Sequence, residues 1–237
     1  MAAKTISRES NLSRFVEKQM RNWEIARGQH PECDGRQEVA DFITLANIVG
    51  AGGNDVAAAL GRELGWPVFD RELLTTMAHD DQTRAALYRT MDERDLGWLE
   101  VTVRCLAESS FRKNDYFHRL VETVLCLARQ GPAVFVGRSA DLILPRTKGL
   151  RVKLIASMDY CARNFAQRGA ISLEKARAEV ARIEAERHGF IRHHFHVDAT
   201  DPMRFDLLVN IERFSTRQIV ELVLAAHADR LAASIAR

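Results

Sequence analysis

Residues 42–60 read FITLANIVGAGGNDVAAAL, and the order of residue types in this stretch decides the fold. Phe42, Ile43 and Leu45 suit a buried strand, Gly50, Gly52 and Gly53 open backbone conformations closed to other residues, and Val56, Ala57 and Leu60 recur at helical spacing. The sequence therefore predicts strand, tight turn and helix in succession. Such a turn aims backbone N–H groups at an anion, and the partial positive charge of the helix N-terminus favours a di- or triphosphate there. The complete phosphate-loop pattern is GxxxxGK[ST]. Here Asn47 stands for its first Gly, Gly53 for the Lys and Asn54 for the hydroxyl residue.

The 237-residue chain is long enough for one large or two small domains, and 46% hydrophobic with 28% charged residues is ordinary for a globular protein. A formal net charge of +2 points to neither nucleic acid nor membrane, so any anion site depends on local arginines. Cys33, Cys105, Cys126 and Cys161 lack paired spacing, which argues against a zinc ribbon or disulfide scaffold and for a reducing compartment. No segment approaches the roughly 20 apolar residues of a membrane span. The opening MAAKTISRESNLSRF lacks the apolar run of a secretion signal, and a cytoplasmic location is expected.

Residues 1–38 form an expected N-terminal extension, amphipathic through Leu12, Phe15, Val16, Met20 and Trp23. Docking on the main domain, homodimer formation through this helix and packing beside a partner all fit it. A domain over 39–237 follows. Five strands are expected to start near Phe42, Val68, Ala133, Arg151 and Asp206, and their alternation with helices implies a parallel α/β sheet. Asp70 ends the second strand, where it suits both a ligand contact and an N-cap of a helix over Arg71 to Ala78. His79 to Gln130 reads as mostly helical. Arg138 directly follows a buried strand, where an idle arginine is costly. A helical tract from Tyr160 to His196 holds Arg163, Arg168, Arg177, Arg182, Arg187 and Arg192, and Glu174, Glu179, Glu184 and Glu186 offer most of these surface partners. His188, His193, His194 and His196 match no zinc spacing. A C-terminal helix from about Thr216 points Ile219, Leu222 and Val223 inward.

Taken in order, GAGGNDVA, GWPVFDRELL, VFVGRSADLIL, the Arg163/Arg168 tract and VDATDPMRFDLLVNIERFS resemble the cytidylate-kinase-like branch of the P-loop nucleoside monophosphate kinases, over roughly Asp41 to Ala225. The resemblance implies a three-layer α/β fold with a five-stranded parallel sheet, a helical monophosphate-binding insertion at 71–130 and an arginine-bearing lid at 160–196. It also implies ATP as co-substrate with magnesium, and a nucleoside monophosphate, CMP or dCMP, as acceptor. Gly50, Ala51, Gly52, Gly53, Asn54 and Asp55 would cradle the donor phosphates, with Asn54 and Asp55 near the metal. Asp70 and Arg138 would meet the acceptor, and Arg163, Arg168 and Arg187 would act on the transferring group. Guanidinium forks suit that work, because they grip phosphate oxygens in a bidentate way. Gly53 in place of the loop lysine keeps a second reading open, a nucleotide-binding sensor or scaffold without turnover. Nucleic acid and membrane are not expected partners.

Overall fold

The computed structural model describes residues 39–89, 99 and 116–235. The N-terminal extension, Met91, Leu96, Val101, Leu106, the acidic run at 92–95, Cys33 and Cys105 lie outside them. Two compact units divide the chain: Val39–Asp41 with Phe69–Ala133, and Phe42–Val68 with the residues from Val134 onward.

The first unit is helical among its described residues. Helices α2 (Arg71–His79), α3 (Asp81–Arg89) and α4 (Tyr116–Gln130) bury Leu73, Leu74, Met77, Phe117, Leu120 and Val124. Asp70 is the N-cap of α2. Its Oδ1 accepts the Leu73 N–H at 2.8 Å, satisfying a donor that the helix start leaves unpaired. Arg84 of α3 pairs with Glu122 of α4 at 2.6 Å, with both side chains mostly buried. Ala40 N–H donates to Ala128 C=O at 2.8 Å, which ties the described chain start to α4.

The second unit carries the sheet. Apart from the end residues Phe69 and Ala133, which fall in the first unit, it holds the strands β1 (Phe42–Asn47), β2 (Val68–Phe69), β3 (Ala133–Val136), β4 (Leu150–Ile155) and β5 (Leu207–Asn210), parallel and ordered β2-β3-β1-β4-β5. Each starts within one residue of its expected position. In the register Ala46 faces Lys153 and Asn47 faces Leu154, while Lys153 faces Leu208 on β5. Ile43, Leu45, Val134, Val136, Val152, Leu154 and Val209 form one core with Val56, Ala57 and Leu60 of α1 (Gly53–Leu64) and with Ile219, Val220 and Val223 of α8 (Thr216–Ile235). Leu222 is 42% exposed, contrary to expectation. The inward stripe of α8 runs through 219, 220 and 223, and at about 100° per residue Leu222 falls beside it.

Between β3 and β4 stands the short helix α5 (Ala140–Ile143). The expected helical tract divides into α6 (Met158–Gly169) and α7 (Leu173–Phe195). The break comes at Ala170 (φ 49), and Ser172 then caps α7 by accepting the Lys175 N–H at 3.3 Å.

Arg151 on β4 has no solvent exposure. Its Nε donates to Asp141 C=O at 3.0 Å, Nη1 to Lys148 C=O at 3.0 Å, and Nη2 to Leu144 and Pro145 C=O at 2.8 and 2.7 Å. Four carbonyls of α5 and the following turn are thus satisfied by one guanidinium, at the cost of burying a charge. Burial pushes its pKa down to about 10, with Arg146 pushing the same way and Asp206 opposing. Asp206 grips the strand as well: its Oδ2 accepts the Arg151 N–H at 2.8 Å and its own N–H donates to Arg151 C=O at 2.8 Å. Arg151→Met strands those carbonyls in an apolar setting, so a stability loss on the order of 3 kcal/mol is expected. Urea denaturation measures it, and a loss under roughly 1 kcal/mol contradicts this role for the guanidinium.

Candidate phosphate-loop site

All contacts of this site lie within the second unit. After β1 the backbone turns left-handed at Gly50 (φ 84) and again at Gly52 (φ 79), and α1 starts at Gly53. Gly50 is obligatory for two reasons. Besides its positive φ, a Cβ there would lie 2.3 Å from the Cys161 carbonyl oxygen of α6, closer than any packing allows. The Ala51 N–H closes on Ile48 C=O at 3.0 Å and the Asp55 N–H on Gly52 C=O at 3.2 Å. Among the described residues the amides of Gly50, Gly52, Gly53 and Asn54 have no such acceptor. N–H groups without acceptors at the start of a twelve-residue helix are the kind of feature that suits an anion.

Helices α6 and α7 hold this loop from outside. Asn164 Nδ2 donates to Gly50 C=O at 3.1 Å. Glu184 Oε1 accepts the Val49 N–H at 3.0 Å, and Arg187 Nη1 donates to Asn47 C=O at 3.0 Å and to Glu184 Oε1 at 2.8 Å. The buried positions Ala176 and Val180 of α7 continue at helical spacing into the half-buried Ile183, Glu184 and Arg187. A charged pair therefore occupies the stretch of the inward stripe that meets the loop.

The side chain of Asn47 crowds position 53. A Cβ at 53 would lie 2.9 Å from Asn47 Cγ and 3.1 Å from its Oδ1, and Asn47 is fixed there by Nδ2 donating to Ile48 C=O at 3.1 Å. The two departures from GxxxxGK[ST], Asn47 and Gly53, therefore adjoin in space, and a side chain at 53 requires that of Asn47 to shift.

Arg168 lies over the loop, its Nη2 3.5 Å from Asp55 and 3.9 Å from where a Gly52 Cβ would stand. Both members of that pair are exposed, so it adds little to stability. Asn54 and Asp55 are exposed in the first turn of α1. Arg163 is also exposed; the Ser157 N–H and hydroxyl bonds hold the Glu212 carboxyl below its ordinary range, and the Arg163 charge adds a smaller pull the same way. Arg177 pairs with Asp159, and Arg182 with Glu179 and Glu186, as surface arginines do. Arg138 sits in a run of three left-handed residues after β3, with φ of 71, 51 and 57 at Gly137, Arg138 and Ser139. Two of these are not glycine, and strain of this kind concentrates at functional positions. The Gly137 N–H donates to Leu45 C=O at 2.9 Å, which anchors this turn to the loop-bearing strand. Asp70 belongs to the other unit. Among the described residues no three His, Cys, Asp or Glu side chains are grouped to hold a metal.

Sequence reasoning missed Glu184, Asn164 and Lys153. Lys153 is half-buried on β4, its Nζ 5.4 Å above the Phe205 ring centre, and Arg204, paired with Asp141 at 2.5 Å, approaches the same ring at 5.2 Å. Burial draws the Lys153 ammonium below its ordinary pKa, against the pull of Glu184 and Asp141. The available signal was a pair of charges alternating within the apolar strand RVKLIA.

The sequence pattern of the cytidylate kinase-like family matches residues 42–213. Compared with curated proteins by sequence, the chain matches none. Its structure is similar to that of an uncharacterized protein from Eubacterium ventriosum, with a TM-score of 0.60 and 16% identity over 80% of this chain and 99% of that one. Lesser similarities reach a gluconokinase from Sinorhizobium meliloti (TM-score 0.40, 17% identity, 84% of this chain and 97% of that one) and a shikimate kinase from Aquifex aeolicus (0.42, 14%, 78% and 95%). No helix among the described residues is long and apolar enough to cross a membrane.

Two measurements check the site. Gly53→Lys is expected to destabilise the fold by about 1–3 kcal/mol through overpacking, and Asn47→Gly in the same chain to recover most of that loss. Additive losses in chemical denaturation refute the shared-space account. Burial raises the Cys161 thiol to about 11, with Glu184 and Glu212 adding to it, so peptide mapping should find Cys161 unalkylated by iodoacetamide at pH 8 in the native chain and labelled in urea.

Proposed function

The chain belongs to the cytidylate kinase-like family, a membership that supports nucleotide-dependent phosphoryl transfer, and on that premise we propose that it moves a phosphoryl group from ATP to a nucleoside monophosphate, CMP or dCMP. The observation that carries this reading is the turn at Gly50–Asn54: two left-handed glycines and four amides that have no backbone acceptor among the described residues, at the start of α1.

In this reading the β- and γ-phosphates of the donor rest on those amides, and the helix N-terminus adds partial positive charge. The oxygens of Asn54 and Asp55 suit a hard cation that keeps most of its waters, and they would hold magnesium. Bound there, the ion neutralises phosphate charge. Arg168, beside Gly52 and Asp55, swings from its exposed ion pair onto the transferring group, a move that costs little because the pair is weak. Arg163 approaches from the same helix. Arg138 receives the acceptor phosphate beyond the end of β3, where open α/β sheets bind ligands. Arg187 is engaged with Asn47 and Glu184, so reaching the transferring group would require it to give up both bonds.

A second reading, nucleotide sensing without turnover, is favoured by Gly53. Asn47 must shift before a side chain fits at 53, and removing a preorganised donor such as the loop lysine lowers kcat by about 10²–10³ in measured cases.

Purified protein with ATP, magnesium and a panel of monophosphates separates the two, followed by phosphorus NMR. Turnover with a pyrimidine monophosphate supports the kinase, and nucleotide binding without turnover of any acceptor establishes the sensor. For the kinase, Arg168→Ala should lower kcat by about 10²–10³ while ATP affinity falls only a few-fold. An unchanged kcat removes Arg168 from the mechanism.

A further inference from the structure

We propose that Glu184 and Arg187 are positioning residues that set the shape of the phosphate loop from outside, so that nucleotide affinity depends on two α7 side chains that touch no nucleotide. The inference rests on the phosphate-loop reading above.

A loop that binds anions through its amides must hold them converged before the anion arrives, because any donor that must be reoriented on binding weakens the site. Gly50 and Gly52 permit the required conformation without enforcing it, since glycine visits left- and right-handed regions about equally. Enforcement has to come from contacts to the loop backbone, and the Glu184–Arg187 pair supplies two of them. Val49, 8% exposed, donates its N–H to Glu184 Oε1 at 3.0 Å. Asn47 C=O, two residues earlier, is held at 3.0 Å by Arg187 Nη1. The same Nη1 meets the same Oε1 at 2.8 Å, so carboxylate and guanidinium fix one another while each fixes one backbone group. The clasp closes immediately before Gly50, the first left-handed residue.

Its chemistry is directional. Val49 offers a donor and needs an oxygen acceptor; Asn47 offers an acceptor and needs a donor. Glu184→Gln keeps an oxygen within reach of the Val49 N–H, whereas Glu184→Ala removes it. Arg187→Met frees Asn47 C=O and leaves Glu184 on Val49. A merely structural ion pair would respond to loss of charge, and this pair responds to loss of either backbone partner, the acceptor at 184 for the Val49 N–H or the donor at 187 for the Asn47 carbonyl.

The test has an arm without nucleotide and an arm with it. In the apo full-length chain, hydrogen exchange at the Val49 amide should accelerate at least tenfold in Glu184→Ala and stay within a few-fold of wild type in Glu184→Gln. ADP affinity by calorimetry should fall at least tenfold in Glu184→Ala and less than about three-fold in Glu184→Gln. In a turning-over enzyme, the Glu184→Ala loss should appear in KM for ATP more than in kcat. Should Glu184→Ala fail to fold, Arg187→Met carries the affinity arm, with the same tenfold loss expected. Wild-type protection and wild-type ADP affinity in these variants overturn the proposal. If the wild type itself binds no ADP, the phosphate-loop reading is overturned and the clasp's bearing on nucleotide with it; the apo exchange arm tells that outcome from a failure of the clasp.

Discussion

The loop after β1 is built on backbone pressed against backbone. The α-carbon of Gly50 meets the carbonyl of Cys161 so closely that no side chain fits between them, and the Gly50 carbonyl is held in turn by Asn164, one helical turn further along α6. That approach fixes where the chain leaves β1, and so where α1 begins and which amides face outward. The inward stripe of α1, Val56, Ala57 and Leu60, then falls on the sheet face formed by Ile43, Leu45, Val152 and Leu154. A Cβ at position 50 would displace α6, and every contact downstream of the turn would shift with it.

The cations of this unit divide into those the fold consumes and those it leaves available. Arg151 is wholly consumed, its donors spread over four carbonyls; Arg204 is consumed by Asp141, with both side chains under a tenth exposed. Arg187 is committed to a carbonyl and a carboxylate. Arg168 and Arg163 stand exposed on α6. An arginine that must move during a reaction belongs to the second group, because releasing a buried, multiply bonded guanidinium costs several kcal/mol and releasing an exposed one costs roughly 1 kcal/mol or less.

The sequence made the architecture legible because its signals there are local. Strand-forming runs of four to six residues at Phe42, Ala133 and Leu150, the last two entered straight from Pro132 and Gly149, left little choice but buried strands, and Asp70 before RELL announced its cap. The glycines of GAGG were legible for the same reason, since a left-handed backbone demands them. The partners of the loop were not. Glu184 and Arg187 stand three apart on a helix dense in such pairs, and Arg182 with Glu179 shows the same spacing while touching only its own surface. What distinguishes them is the phase set by Ala176 and Val180, which becomes informative only once the inward face of α7 is known. Asn47 and Gly53 were legible as two separate departures from a motif; that the two positions adjoin became visible only in three dimensions.

The contacts that shape the loop also span long stretches of chain: 114 positions from Gly50 to Asn164, 135 from Val49 to Glu184, and 140 from Asn47 to Arg187. Contacts this distant in sequence are slow to form, because the intervening chain must be ordered before they bring any return. During synthesis the glycines leave the ribosome more than a hundred residues ahead of the helices that give them shape. The loop is thus among the first segments of its unit to emerge and among the last to be finished.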